Sequence, residues 1–171
     1  TFWDLGSNDF TAIWLHQRVG AWDHFIGYME GTRTGLANWW KQLQDWRELN
    51  GVERFGRHYL PHDGDAERQG EEIESANSIL TKLGVKNIEI VPRVVSRAIG
   101  IDITRTAMLK SVRIAKTACA QGIKCLDSYQ YEWDDKRSQW KNEPLHNWAS
   151  NGSDAFRQWA QAKELGMLHT A

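Results

Sequence analysis

Three strand-like segments open the sequence, and the links between them are long enough only for turns. The segments run from Phe2 to Leu5, from Phe10 to Val19 and from Trp22 to Glu30. In the second segment, Ala12 and Trp14 fall on one side of a strand, while Ile13 and Leu15 fall on the other. Because hairpin-sized links join strands that run in opposite directions, we expect an antiparallel meander.

The hydrophobic period then changes from that of a strand to that of a helix. Leu36, Trp40, Leu43 and Trp46 fall at i, i+4, i+7 and i+10, which is the spacing of one helical stripe that ends near residues 50 and 51. Beyond this helix, strands and helices alternate. We expect strands at His58 to Pro61, Ile88 to Val91 and Ser111 to Ala115, helices at residues 73 to 83, 101 to 109, 119 to 129 and 153 to 166, and an exposed hairpin at residues 131 to 143.

This order of elements predicts one α/β domain. Three antiparallel strands followed by alternating helices and strands indicate a mixed central sheet flanked by helices, with the hairpin as an addition. The arrangement is similar to the ribonuclease-H-like fold. A chain of 171 residues, 41% of them hydrophobic, can bury one sizeable core, so we expect a single domain over residues 1 to 171. The chain opens Thr-Phe-Trp-Asp without a methionine, and we expect it to be part of a longer polypeptide.

Charge is distributed unevenly along a chain whose formal net charge is −1. Residues 62 to 74 are rich in Asp and Glu, whereas residues 93 to 124 are rich in Lys and Arg. The acidic region could hold cations and the basic region could face phosphate, although solvated helix faces would give the same pattern. Charge alone therefore allows a nucleic-acid ligand without indicating one.

Three aspartates lie at positions where a carboxylate is expected to have a cation or a hydrogen-bond donor beside it. Asp4 lies inside an apolar strand, where an isolated carboxylate is costly to bury unless a cation accompanies it. Asp63 follows the fourth strand at its carboxyl end, where it can meet Asp4 if the two strands are neighbours. Asp154 lies at the start of the last predicted helix, whose first-turn N–H groups can hold a carboxylate. Each also has a purely structural alternative, as a turn residue, a helix-start acid or a strand-end residue.

Three segments resemble, in the same order, the nuclease motifs of the large subunit of tailed-phage terminases. Residues 146 to 157, His-Asn-Trp-Ala-Ser-Asn-Gly-Ser-Asp-Ala-Phe-Arg, are similar to the family's last motif, His-Asp-Trp-Ala-Ser-His-x-Ala-Asp-Ala-Phe-Arg. Residues 3 to 6 together with 9 to 13 resemble the first motif, and residues 60 to 64 resemble the second. Asn147, Asn151 and Ser153 depart from the last motif, and none of these departures affects the three aspartates.

The resemblance implies a nuclease that cleaves double-stranded viral DNA during genome packaging, with little sequence specificity. It implies two Mg²⁺ or Mn²⁺ ions bound by Asp4, Asp63 and Asp154, and oxygen ligands suit these cations. The further candidates are Asp9 and Asp65 as an additional ligand, and His62 and His146 as groups that orient water or the leaving group, although a histidine beside a turn is more often a surface residue. Phosphate contacts are expected from Arg93, Arg97, Arg105, Lys136 and Arg137.

The resemblance also implies partners and a cellular location. They are an ATPase motor domain, a small terminase subunit and a portal protein, in the host bacterial cytoplasm. The sequence has no Gly-rich phosphate loop ending in Lys-Ser or Lys-Thr, so we expect the motor domain to lie outside this chain. No apolar stretch predicts a membrane span or a signal peptide.

Two other functions and one structural question stay open at this point. The chain could be another ribonuclease-H-like nuclease, such as a Holliday-junction resolvase or a transposase core. It could also be a catalytically silent domain that only docks on a packaging motor. In the predicted hairpin, Trp133 and Trp140 together with Lys136 and Arg137 could brace DNA or regulate access to the site, or the two tryptophans could only pack.

Overall fold

The three amino-terminal strands pair as the sequence predicts. In the computed structural model, which describes residues 1 to 6, 10 to 65 and 74 to 168, they are β1 (Phe2–Leu5), β2 (Phe10–Val19) and β3 (Trp22–Thr32). Both neighbouring pairs are antiparallel, and the register aligns Asp4 with Ala12 and Ala12 with Glu30. These three residues therefore lie in one row on the same face of the sheet.

Three short strands complete a mixed sheet in parallel pairs. They are β4 (His58–Leu60), β5 (Ile88–Ile90) and β6 (Val112–Ile114). β4 lies beside β1, β5 beside β4 and β6 beside β3, which gives the order β5-β4-β1-β2-β3-β6. Because β1 and β4 are parallel neighbours, their carboxyl ends meet at one edge of the sheet, as the sequence analysis required for Asp4 and Asp63.

In the described ranges, five helices flank the sheet, and a separate hairpin follows the fourth helix. The helices are α1 (Leu36–Leu49), α2 (Ala76–Lys82), α3 (Arg97–Met108), α4 (Ala120–Ser128) and α5 (Ser150–Glu164), and the hairpin strands are β7 (Tyr131–Asp134) and β8 (Gln139–Pro144). The predicted mixed α/β sheet with an added hairpin is confirmed. No helix in the described ranges is long and apolar enough to cross a membrane.

Both faces of the sheet are covered by apolar cores. Ala12 and Trp14 of β2 belong to one buried cluster, with Phe156 and Trp159 of α5. Ile13 and Leu15 belong to the other, with side chains of α1 and α2 such as Trp39 and Leu80. The alternation along β2 therefore separates two cores, since successive side chains of a strand point to opposite faces. Cys119 and Cys125 are buried free thiols.

Two helices begin earlier than the sequence pattern indicated. The last helix starts at Ser150 and not near Ser153. Just before it, the backbone N–H of Ala149 donates a hydrogen bond to Asn147 Oδ1 at 2.9 Å. The backbone N–H of Asn147 in turn donates to Ser150 Oγ at 2.9 Å. α3 starts at Arg97 and not at Ile101, because Ser96 is its N-cap and accepts from the N–H of Ile99 at 3.3 Å. A polar N-cap, which carries no hydrophobic periodicity, marks the start of α3. The N-cap residue of α5 is Ala149, which makes no side-chain capping bond, so the polar contacts there lie in the turn before the helix.

α5 approaches the sheet most closely at Gly152. The carbonyl of Gly152 accepts a hydrogen bond from Trp14 Nε1 at 2.8 Å. A Cβ atom at residue 152 would overlap the hydroxyl oxygen of Tyr28 and would lie 2.8 Å from the sulfur of Cys125. Since Cys125 is fully buried, this side of the helix has no room for a methyl group.

We predict that Gly152→Ala lowers the free energy of unfolding by about 1–3 kcal/mol, because overpacking at this contact outweighs the higher helix propensity of alanine. Urea unfolding followed by circular dichroism measures the change. Gly56→Ala is the matched control, because a Cβ at residue 56 would have no atom within 4 Å. Equal stability of the two variants would contradict the close approach at Gly152.

Candidate metal centre

Asp4 is a carboxylate held in an apolar strand. Its neighbours Trp3 and Leu5 are buried, and Asp4 itself is partly buried. Burial raises the pKa of Asp4 to about 8, and the negative charges of Asp154 and Asp63 raise it as well. The ionised form of the Asp side chain is therefore destabilised at this position, which is the electrostatic condition that a bound cation relieves.

Asp63 lies in an exposed turn directly after β4. The turn is closed by a hydrogen bond of 2.7 Å from the N–H of Gly64 to the carbonyl of Pro61. Asp65 is exposed in the same turn and accepts a hydrogen bond of 2.7 Å from the side-chain amide of Asn77. Asp63 thus stands at the edge of the sheet where β1 also ends, and it acts electrostatically on Asp4.

Asp154 is in the second turn of α5, and the local reason given for it from the sequence is wrong. Because the helix begins at Ser150, the free N–H groups of its first turn do not hold this carboxylate. Two side chains hold the Asp154 carboxylate instead of these N–H groups. Tyr129 donates its hydroxyl to Asp154 Oδ1 at 3.0 Å, and Arg157 Nη2 lies 3.2 Å from the same oxygen. Burial, followed by the charge of Asp154, raises the pKa of Tyr129, so its hydroxyl stays protonated as a donor.

Three residues at this edge were not given a role by the sequence analysis. Arg157 stands one turn after Asp154, and its spacing of three residues on a helix was a usable signal. Tyr129 comes from the segment after α4, and no spacing rule connects it with Asp154. Asn151 is one turn before Asp154, and its side-chain nitrogen would lie 3.5 Å from a Cβ placed on Gly6, just beyond β1. Asn151 is thus a polar side chain of α5 that lies next to the end of β1.

Glu30 lies in the same row of the sheet as Asp4 but is engaged elsewhere. Its carboxylate accepts a hydrogen bond from the Tyr28 hydroxyl at 2.5 Å, and the thiol of Cys125 lies 3.7 Å from the same oxygen. These contacts belong to the packing of α4 and α5 on β3. The sequence analysis did not include Glu30 among the acids proposed as ligands.

The acids do not form a closed cage. In residues 1 to 6, 10 to 65 and 74 to 168, no three His, Cys, Asp or Glu side chains are gathered closely enough to hold a metal ion as they stand. Asp9, a predicted additional ligand, lies outside the described residues. His62 lies in the turn after β4, and His146 lies in the segment before α5. The charges of Asp154 and Asp63 nevertheless act on Asp4 and raise its pKa.

Of the predicted phosphate contacts, Arg97 is the one whose charge acts on the acids. It is the first residue of α3, its side chain is 52% exposed, and its positive charge lowers the pKa of Asp4. Arg93 is exposed in the loop before α3, and Arg105 is exposed farther along this helix, 3.7 Å from Asp102. Lys136 and Arg137 occupy the turn of the hairpin.

Comparison with solved structures identifies the fold. The large terminase of a thermophilic bacteriophage superimposes with a TM-score of 0.69 and 17% sequence identity, over 96% of this chain and 39% of that chain. The same protein in complex with ATP-gamma-S gives a TM-score of 0.65 and 17% identity, over 93% of this chain and 38% of that one. The nuclease domain of g2p, the large terminase of bacteriophage SPP1, with bound Mn, gives 0.59 and 13%, over 95% of this chain and 84% of that domain.

These matches define a terminase-type nuclease fold. The chain spans 39% of the length of the thermophilic phage's large terminase and corresponds in extent to the isolated SPP1 nuclease domain. No protein-family model matches the sequence. No curated protein matches it either. The likeness to large terminases is therefore carried by the fold and by the order of the three motifs.

Asp4 gives a prediction for the pH dependence of stability without added metal. Its pKa is raised from 3.8 to about 8 in the folded state, so the folded protein binds more protons than the unfolded chain between these values. The contribution of Asp4 to the free energy of unfolding is therefore fully present below about pH 4 and is lost as the pH rises through 8, by on the order of a few kcal/mol.

Asp4→Asn removes this titration while keeping the shape of the side chain. We expect the variant to be more stable than the native protein at pH 8, and we expect this gain to shrink toward pH 4. Urea unfolding in the presence of a chelator, at several pH values, measures the difference. A difference in stability that does not change with pH would show that Asp4 is ionised normally.

Proposed function

We propose that this chain is the nuclease domain of a terminase large subunit, a metal-dependent endonuclease that cleaves double-stranded viral DNA during genome packaging. The observation that carries the proposal is electrostatic: the charges of Asp154 and Asp63, from α5 and from the turn after β4, both act on the partly buried Asp4. The terminase-type fold and the three motif resemblances support the same assignment.

The chemistry of the three side chains fits two Mg²⁺ or Mn²⁺ ions. Carboxylate oxygens are the ligands that these hard cations prefer. A cation beside Asp4 would also offset the repulsion that raises its pKa. When bound, such an ion pair supplies a water of lowered pKa and neutralises the charge on the departing oxygen of the DNA backbone. The solved SPP1 nuclease domain with bound Mn supports the choice of metal.

Each aspartate has a distinct role in this proposal. Asp4 would be a ligand to both ions, and Asp63 would complete one ion site and Asp154 the other. Tyr129 and Arg157 both contact Oδ1 of Asp154, so Oδ2 is the oxygen that can turn to a cation without breaking either contact. Asp63 follows β4 in a turn and can adjust to the ions. Asp9 and Asp65 are proposed as additional ligands, and His62 and His146 as groups that orient water or the leaving group.

The positively charged residues would act on the DNA backbone. Arg97 acts on Asp4, so a phosphate bound by its guanidinium would bring the neighbouring phosphodiester to the acids. Arg93 and Arg105 of the same segment, and Lys136 and Arg137 of the hairpin, would extend the contact along the duplex. Because such contacts do not read bases, cleavage would have little sequence specificity.

The remaining parts of the proposal come from the family. The chain would work with an ATPase motor domain, a small terminase subunit and a portal protein, in the host bacterial cytoplasm. A test of DNA cleavage by the domain can be made without any of these partners.

Asp63→Asn should abolish cleavage and leave the fold intact, since Asp63 lies in a turn outside both apolar cores. We expect the rate of plasmid nicking with Mn²⁺ to fall at least on the order of a hundredfold, because one ion would lose a ligand. Asp45→Asn is the matched control, since Asp45 is an exposed acid on α1, at the opposite face of the sheet, where it pairs with Lys41. Nicking by Asp63→Asn at the native rate would remove this residue from the site.

Substrate preference distinguishes the proposal from its alternatives. We expect linear and supercoiled duplexes to be cut in Mn²⁺ and not in a chelator. Strong preference for four-way junctions would favour a resolvase. No nicking by well-folded protein at any concentration would favour a silent docking domain.

A further inference from the structure

The hairpin exposes two tryptophans that the core does not use. Trp133 and Trp140 are 44% and 59% exposed, and their rings contact each other edge to face at 5.0 Å between centroids. The two strands form a sheet of their own, β7 with β8, outside the central sheet. Large aromatic rings that are exposed together are typical of a binding surface, because their apolar area is unfavourable in water.

Next to Trp140 lies a cavity of about 430 Å³ between the hairpin and the start of α3. Its walls include Tyr131, Trp140 and Lys141 from the hairpin, and Ser96 and Arg97 from the start of α3. This volume is in the range of small-ligand sites, roughly 300–1,000 Å³. The cavity thus combines aromatic side chains and the charged Lys141 and Glu143 of the hairpin with Ser96 and Arg97 from the start of α3.

The cavity adjoins the carboxylates. Arg97 lines the cavity and also acts on Asp4, so the two places share a side chain. The packing of α3 against α5 also connects α3 with the acids. Gly100 of α3 lies against Arg157, where an added Cβ would be 2.9 Å from Cδ, and Arg157 in turn contacts Asp154 at 3.2 Å. A ligand in the cavity would therefore be held beside the acidic edge of the sheet.

Several charges around the hairpin are already paired. Lys141 bonds Glu132 at 2.5 Å, Arg97 bonds Glu143 at 3.4 Å, and Arg137 lies 4.0 Å from Asp134. Phosphate would therefore compete with these carboxylates for Arg97 and Arg137, while Trp133 and Trp140 remain partly exposed. Bases inside a duplex have their faces covered by their neighbours, so a ligand recognised by stacking must be unpaired.

We propose that the cavity between the hairpin and α3 binds an unpaired nucleobase of the DNA substrate by stacking on Trp140, and so directs the nuclease to DNA with locally single-stranded character. This inference rests on the proposed function for the identity of the substrate as DNA. It gives the hairpin a part in choosing where the backbone is cut, through the shape of the DNA and not through its sequence.

Binding of two matched DNAs tests the inference. One is a blunt duplex, and the other is the same duplex with a central bubble of mismatched bases, each labelled for fluorescence anisotropy and measured with a chelator present. We expect tighter binding of the bubbled DNA, and Trp140→Ala should reduce its affinity on the order of tenfold with little change for the blunt duplex. Loss of affinity for both DNAs equally, or for neither, would overturn the inference.

Three variants separate stacking from folding. Trp140→Phe keeps an aromatic face and should keep most of the preference for the bubble. Trp140→Leu keeps bulk against Trp133 without such a face and should behave like Trp140→Ala. Trp22→Ala is the control, because Trp22 is also an exposed tryptophan, 40% exposed, at the start of β3 beside Arg113. If Leu preserved the preference as well as Phe, hydrophobic bulk and not stacking would be responsible, and the inference would fail.

The salt dependence gives a further check. Stacking releases few counterions, so the ratio of the two affinities should persist as salt is raised, while both affinities fall. A ratio that disappears in high salt would mean phosphate contact and would overturn the stacking site. Plasmid nicking is measured in parallel. Bubble preference without nicking would refute the proposed nuclease and keep the binding site, whereas nicking without bubble preference would refute only the binding site.

Discussion

The carboxylate of Asp4 is placed where an ordinary ionised Asp is unstable. Its strand neighbours are buried, and two further negative charges act on it from other parts of the chain. Arg157 and Arg97 only partly compensate, since the pKa of Asp4 remains raised to about 8. A bound cation would relieve this repulsion, and in the function that we propose the ligand is a pair of divalent cations. The rest of the acidic edge follows from this arrangement.

Two features of the fold create that arrangement. β4 lies parallel to β1, which brings the turn with Asp63 to the end of the strand that carries Asp4. α5 packs across the same face so closely that only glycine fits at residue 152, and this contact sets the position of Asp154. Both features depend on packing of the whole sheet, so substitutions far from the acids can alter the site through α5. The hairpin forms its own small sheet beside α3, separate from the sheet that carries Asp4.

The sequence placed the three aspartates on the correct elements of the fold, but it gave a wrong local reason for one of them. Alternation and hairpin-sized links correctly predicted β1 to β3. The expectation that Asp63 lies at the same edge as Asp4 depended on the assumption that β1 and β4 are neighbours, and the two strands do pair. Asp154 was chosen correctly as a residue of the last helix, but the helix begins three residues earlier than predicted, so its supposed contact with first-turn N–H groups does not exist. Tyr129, which bonds it, is 25 residues away in the chain, and no periodicity connects the two.

The sequence by itself determined the class of the fold, the two faces of β2 and the residue types available for chemistry, because these depend on local periodicity and composition. Only the tertiary structure decided which carboxylates act on Asp4, which oxygen of Asp154 is engaged and that Arg97 belongs both to the acidic edge and to the cavity beside Trp140. The physical reason is that electrostatic coupling and packing depend on distance in space. Separation along the chain carries almost none of that information.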